Sequence, residues 1–211
     1  MLLLFINNAT IMLDYSTMRK RELSKKINKG LSLIEAAIFL VVSAAVISAA
    51  LFFYNSTKER KSISEGTNAV QNIVAAVNKL YAGSIEQMPA SSDRDFMASI
   101  SSLTGLKLNN DNRLVLPSGN YVEIWGVPNH PRTYAVEISE SSGSRSACVA
   151  YASLNFGPLM KRRPLVSSGG MTIDDAQPGG ALTPAEATDM CNKVKISSTR
   201  PEILIRYFFT Y

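Results

Sequence analysis

Apolar residues fall along this chain in three successive patterns. In the first, residues 36–54 form a run without a charge, a glycine or a proline. At 1.5 Å rise per residue such a run makes a helix roughly 28 Å long, close to the ~30 Å hydrocarbon core of a bilayer. It reads as a membrane-spanning helix. In the second pattern, residues 55–61 are polar on every side. Apolar positions then recur at Ile63, Val70, Ile73, Val74, Val77, Leu80 and Tyr81. Gaps of about three, four and seven mark one face of an amphipathic helix. Gly66 interrupts that face, at a cost of about 1 kcal/mol relative to alanine. The two patterns join into one helix over about 31–82, apolar all round in its first half and one-sided in its second.

The third pattern has mixed periods. Residues 86–94 read as a loop. Asp93 is placed to cap a short helix from Arg94 to about Thr104, with Phe96, Ile100 and Leu103 inward and Gly105 ending it. The period then changes to two. Leu114-Val115-Leu116, the turn Pro117-Ser118-Gly119-Asn120 and Tyr121-Val122-Glu123-Ile124-Trp125 predict a hairpin. Residues 133–138 and 146–154 also alternate and predict strands. Thr183-Pro184-Ala185-Glu186 is a capping box with proline at the first helical position, starting a helix through about Asn192. Residues 203–211 are strong β-formers and predict a central strand. The connections are mostly too short for helical crossovers, so the sheet is expected to be antiparallel. The fold class is α+β.

Charge changes the picture at one end only. The chain has 211 residues and a formal net charge of +5. Residues 1–30 hold Arg19, Lys20, Arg21, Lys25, Lys26 and Lys29 against Asp14 and Glu22, which is +4 of that total. The basic balance is therefore a targeting charge, not a nucleic-acid surface. Positive residues before a span keep that end cytoplasmic and place the C-terminal domain outside. Residues 1–30 read as a leader outside the fold, and Met12 or Met18 are alternative starts. An ordinary secretory signal, cut near Ser43-Ala44-Ala45 or Ser48-Ala49-Ala50, is the competing reading. The small residues Ala36, Ala37, Ser43, Ala44, Ala45, Ser48, Ala49 and Ala50 suit close helix–helix approach in an apolar setting.

Glu35 does not belong at the start of such a run. A carboxylate at the edge of hydrocarbon costs on the order of a few kcal/mol unless paired or protonated. Cleavage after Gly30 would make the new amine of Leu31 a cation at the same end of the helix. Glu35 could pair with its own amine or with that of a neighbouring copy. The stretch Gly30-Leu31-Ser32-Leu33-Ile34-Glu35-Ala36-Ala37, behind a basic leader and ahead of the apolar run, resembles the class III signal of type IV pilins. A leader of 30 residues and a first mature residue Leu31 in place of Phe resemble the type IVb branch. The match covers about residues 19–60. The resemblance implies cleavage by a prepilin peptidase between Gly30 and Leu31, N-methylation of Leu31, and a role for Glu35 in assembly. It implies a precursor in inner-membrane lipid, pilus assembly machinery as partner, and a homo-oligomeric extracellular filament serving adhesion, aggregation or conjugative mating. It divides the chain into a leader (1–30), a filament-core half-helix (31–54), an amphipathic half-helix (55–83) and a globular head (84–211).

Cys148 and Cys191 are the only two cysteines. In an exported domain they favour a disulfide, closing a loop worth roughly 3–4 kcal/mol in the chain-entropy model. A metal site or a reactive thiol are the alternatives. The enclosed segment, rich in glycine and proline, looks like the pilin D-region (148–191). Within it Lys161-Arg162-Arg163 reads as a solvated loop. His130 is the single histidine, in the loop context Asn129-His130-Pro131, and reads as a surface residue. Asp174-Asp175 and Asp93 with Asp95 are loop acids. No phosphate loop, metal-ligand spacing or nucleophile motif stands out, so neither cofactor, metal nor catalysis is expected. Two further readings are a minor pilin or type II secretion pseudopilin, and a signal-anchored extracytoplasmic binding domain or enzyme.

Overall fold

A computed structural model describes residues 33–84, 86–174, 179–196 and 201–211. They divide into two units, one reaching to Asn55 and the other Ser56–Tyr211.

Helix α1 runs Leu33–Tyr81, and its buried residues are Gly66, Ala69, Val70, Ile73, Val74 and Val77. The burial follows the predicted stripe except at its end, where Leu80 is exposed. Helix α2, Arg94–Thr104, has the expected caps: the Asp93 side chain accepts from the Asp95 amide, and Gly105 closes the helix at φ 72°. Its buried residues are Phe96, Met97 and Ile100. Leu103, expected to point inward, is exposed instead.

Seven strands form one sheet: β1 Lys107–Leu108, β2 Leu114–Val115, β3 Tyr121–Gly126, β4 Thr133–Glu140, β5 Met160–Ser168, β6 Met171–Ile173 and β7 Ile203–Thr210. Their order is β1-β2-β3-β4-β7-β5-β6, and every pairing is antiparallel. The last strand in sequence, β7, thus lies between β4 and β5, as its β-formers predict. Strand β4 is buried on both faces. On one face Tyr134, Val136 and Ile138 meet Val122, Ile124, Ile205, Tyr207 and Phe209 and the buried residues of the helices in a single core.

Residues 146–154 are not a strand. Helix α3, Arg145–Ala152, takes that place, with Ser144 capping its first turn. Its buried residues Ala147, Cys148, Tyr151 and Ala152 share one face at helical spacing. The apparent period of two came from small residues that carry little patterning information, and the capping serine decides the outcome. A short 3-10 turn, Gly157–Leu159, leads into β5. Strand β5 escapes prediction because it holds three cations and Pro164. Its pairing with β7 shifts register between Met160 and Arg162 and again between Arg162 and Leu165, and a bulge of this kind tolerates a proline that lacks an amide donor. Helix α4, Pro184–Lys193, starts with the predicted capping box, the Glu186 carboxylate accepting from the Thr183 amide at 2.8 Å.

Tyr211 fastens the sheet to the end of α1. Its ring lies 5.1 Å from that of Tyr81 and its hydroxyl donates to the Glu86 carbonyl at 3.0 Å.

Candidate assembly site

The first unit carries the segment on which the sequence concentrates its unusual chemistry. From residue 33 to 54 the large apolar side chains of α1 are exposed, Leu33 at 89%, Phe39 at 72% and Phe52 at 78%. Exposed positions run right round the helix. Such a surface is stable in lipid or against other apolar helices, not in water. The helix is long and apolar enough to cross a membrane by length and composition. Ala36 and Ser43 are only half exposed among the large residues flanking them, so small side chains form shallow places on the rod. Glu35 sits in the first turn of α1. There the amides at the helix N-terminus favour a carboxylate by roughly 0.3–1 kcal/mol. Gly30 and Leu31, the expected cleavage and methylation positions, lie outside the described residues.

In the second unit Cys148 on α3 and Cys191 on α4 form a disulfide with a Cα–Cα distance of 6.1 Å, and both are fully buried. The chain it encloses contributes β5 and β6 to the main sheet. The cations of Lys161-Arg162-Arg163, expected in a solvated loop, lie on β5 and each has a partner. The Lys161 ammonium donates to the Thr133 hydroxyl at 3.0 Å. Arg162 pairs with Asp174 and stacks over Phe208. Arg163 reaches Glu186 on α4 at 3.0 Å, so one ion pair joins the sheet to the helix that bears Cys191. Glu186 is held below the usual carboxylate range, first by the Thr183 amide, then by the Thr183 hydroxyl and by Arg163.

The sheet face turned away from the core carries a charge ladder that the sequence did not reveal. Glu123 stands opposite Glu137, and Glu137 opposite Arg206. Arg113 bonds Glu123 at 2.6 Å, Arg206 bonds Glu137 at 2.8 Å, and the Arg206 guanidinium lies over the Trp125 ring. Burial pushes the Glu123 carboxyl up, Glu137 adds to this, and Arg113 opposes it. Which cation meets which carboxylate depends on register, which alternation leaves open.

His130 is exposed in the loop between β3 and β4. Asp93 serves as a helix cap, and Asp174 pairs with Arg162. Asp175 lies outside the described residues. Among the described residues no group of three or more His, Cys, Asp or Glu is placed to hold a metal ion.

A long N-terminal helix with an apolar first half, an antiparallel sheet packed on its second half and a C-terminal region closed by a disulfide make up the type IV pilin fold. Sequence comparison agrees. The Bundlin family profile matches residues 55–210. The chain is 28% identical over 177 residues to the major structural subunit of bundle-forming pilus of Escherichia coli O127:H6 (strain E2348/69 / EPEC), spanning 80% of this chain and 90% of the relative. It is 27% identical over the same length to the subunit of that name in Escherichia coli O111:H-, with the same coverage. The chain belongs to the bundlin family, within the type IVb pilins.

Proposed function

We propose that this chain is the structural subunit of a type IVb pilus, assembled by stacking its apolar helices into a filament core. The observation that carries the reading is the exposed apolar surface of α1 up to Tyr54, joined to a folded domain of a pilin family. Stacking copies would cover that surface. Small residues at shallow places on the rod favour close packing of such helices.

In this reading residues 1–30 are a leader that holds the N-terminus in the cytoplasm. Prepilin peptidase cuts between Gly30 and Leu31, and Leu31 is N-methylated. Subunits wait in the inner membrane and are then drawn by the pilus assembly machinery into an extracellular filament. Residues 31–54 form its core, 55–83 the amphipathic half-helix, and 84–211 the outer head. The Glu35 carboxylate pairs with the Leu31 amine of a neighbouring subunit. That pair neutralises both charges in a low-dielectric core and sets the register between copies, since any other offset leaves a charge alone. The role is structural, with no catalytic step. The filament serves adhesion, aggregation or mating.

The test is the intact mass and N-terminus of the protein from its native cell, followed by the variant Glu35→Ala. Loss of residues 1–30 with one added methyl on Leu31 is expected. Glu35→Ala should give a stable membrane protein at normal level and no filaments. An uncut chain, or abundant normal filaments from the variant, would overturn the reading.

A further inference from the structure

Four consecutive charges follow the apolar run of α1: Lys58, Glu59, Arg60 and Lys61. At about 100° per residue they point in four directions round the helix. The one acid among them faces the folded domain, where the Glu59 carboxylate accepts from the Ser144 and Ser146 hydroxyls at 3.2 and 2.5 Å. The three cations are exposed and take the other directions. Among the described residues Lys61 alone of the three has an ion pair, with Glu65 at 3.7 Å, and that pair is open to water, where it is worth little.

The folded domain brings a further cation to the same level. Between Ser144 and Ser146 the Arg145 guanidinium donates to the Val194 carbonyl at 3.3 Å. Lys195 is next in the chain and exposed. Lys193 is matched by Asp189 at 2.5 Å. The nearby acid Glu140 is turned inward, buried and accepting from the Ser142 and Ser144 amides at 3.2 and 2.8 Å. Cations are thus presented outward around Glu59, while the acids beside them are occupied within the domain.

Residues 58–61 follow Tyr54 by four to seven positions on one helix, or about 6–10 Å. The polar layer of a bilayer leaflet reaches about 5–7 Å beyond the hydrocarbon. Helix side chains lean toward the N-terminus, here toward the bilayer, and lysine and arginine have long stems. The cationic groups therefore end at the depth of the lipid phosphates. Phe52, Phe53 and Tyr54 are exposed just before them, aromatic residues at the boundary of the span. Cations directly after an exported span run against the charge asymmetry that orients spans. Targeting does not account for them, and a partner on the outer side does.

We propose that Lys58, Arg60 and Lys61, with Lys195 beside them, bind the headgroup phosphates of anionic phospholipids on the outer face of the membrane that holds the subunit before assembly. The inference deepens the filament reading above and takes from it the membrane-held subunit and its orientation. Each phosphate accepts charge-assisted hydrogen bonds from an ammonium or guanidinium, and attraction to an anionic surface adds to them. The collar sets the depth of the span. Through Glu59 it also ties the folded domain at headgroup level. Drawing a subunit into a filament breaks these contacts, so the collar retains the unassembled subunit.

The test uses the full chain in phosphatidylcholine vesicles carrying a trace of spin-labelled phosphatidylglycerol or spin-labelled phosphatidylcholine. The lipid immobilised at the protein should be several-fold enriched in phosphatidylglycerol, and the enrichment should weaken with added salt. Lys58→Gln, Arg60→Gln and Lys61→Gln together should remove most of it, with α1 kept because glutamine is a good helix former. Lys195→Gln should remove a smaller part. Lys58→Arg with Arg60→Lys should preserve it, since a phosphate accepts from either cation. No enrichment with the native chain, or equal enrichment with the native chain and the triple variant, would overturn the proposal; the second result would assign the lipid to the basic residues 19–29. Filaments lost in the triple variant at unchanged lipid enrichment would overturn it in favour of an acidic protein surface. The vesicle measurement requires no assembly, so its failure leaves the filament reading intact, and that reading fails instead on an uncut chain or on filaments from Glu35→Ala.

Discussion

The hydroxyl of Tyr151 occupies the space where a side chain at position 66 would begin: a Cβ on Gly66 would lie 2.1 Å from that oxygen and 3.0 Å from the Ser118 hydroxyl. At Gly66, α1 thus comes close to α3 and to the turn before β3. Tyr151 donates to Ser118 at 2.9 Å, and its carbonyl accepts from the Tyr207 hydroxyl. Helix propensity alone would make Gly66→Ala stabilising by about 1 kcal/mol. Overpacking costs about 1–3 kcal/mol and should win, because Tyr151 is buried and held at both ends. The expected outcome is a net loss in chemical denaturation of the full chain in detergent, followed by the fluorescence of Trp125. Adding Tyr151→Phe should restore part of the loss. A gain from Gly66→Ala alone would show that Tyr151 moves aside freely.

The bond between Cys148 and Cys191 spans 43 residues. In the chain-entropy model such a loop contributes roughly 3–4 kcal/mol. Replacing both cysteines with serine should lower stability by about that amount. The first part to open should be the layer α3–α4, because β5 is held separately by β7. Hydrogen exchange checks this: amides of α4 should lose protection well before those of β7. Simultaneous loss would mean that the enclosed segment and the sheet form one cooperative unit.

The legible part of this fold was the part written in long periods and in capping residues. Helix α1 was readable because 36–54 and the stripe from Val70 to Val77 persist over many turns. Helices α2 and α4 were readable because Asp93, Gly105, Thr183 and Glu186 mark their ends chemically. Helix α3 is not legible in this way: over nine residues of mostly small side chains, two periods fit equally well. Strand β5 was missed because its cations are satisfied by partners far away in sequence, Thr133, Asp174 and Glu186, which no local pattern announces. Leu80 and Leu103 depart from the inward positions that spacing predicts because periodicity reports that a face is apolar, and not what covers it. The candidate site divides in the same way. Glu35 was conspicuous as a charge beside a charge-free run, whereas the ladder of Glu123, Glu137 and Arg206 required the strand register.

Stability should respond to pH through two carboxylates of opposite behaviour. Glu123 binds its proton more tightly in the folded chain than in the unfolded one, chiefly because of burial. Its ionised form therefore costs stability near neutrality, and that cost fades as pH falls through its folded value. Glu186 is the reverse: its carboxyl is lowered by Thr183 and Arg163. Its contribution is present above the ordinary carboxylate range and is lost as pH falls through its folded value. Relative to the native chain, Glu123→Gln should therefore fare better at pH about 7 than at pH about 4, and Glu186→Gln worse at about 7 than at about 4. Denaturation midpoints at the two pH values check both signs at once. Parallel shifts for the two variants would contradict the assigned environments.

Arg206 holds together the middle of the outer sheet face. It bonds Glu137 at 2.8 Å and lies 5.2 Å from the centroid of the Trp125 ring. Glu137 is only 8% exposed and stands directly opposite Glu123 on β3. Two carboxylates facing across a strand pair repel, and Arg206 and Arg113 offset that repulsion from either side. Removing the guanidinium leaves Glu137 desolvated without its cation and next to a like charge. Arg206→Ala should therefore cost about 1–3 kcal/mol, the range for stranding a buried acceptor. Arg206→Lys should recover part of it, since the ammonium keeps the charge but cannot both bond the carboxylate and lie flat on the indole. The emission of Trp125, the single tryptophan, separates the two contributions. It should shift for both variants because both lose the stacked guanidinium, while stability falls strongly only for alanine. Equal stability losses would mean that the stack on Trp125, rather than the pairing with Glu137, carries the contribution of Arg206.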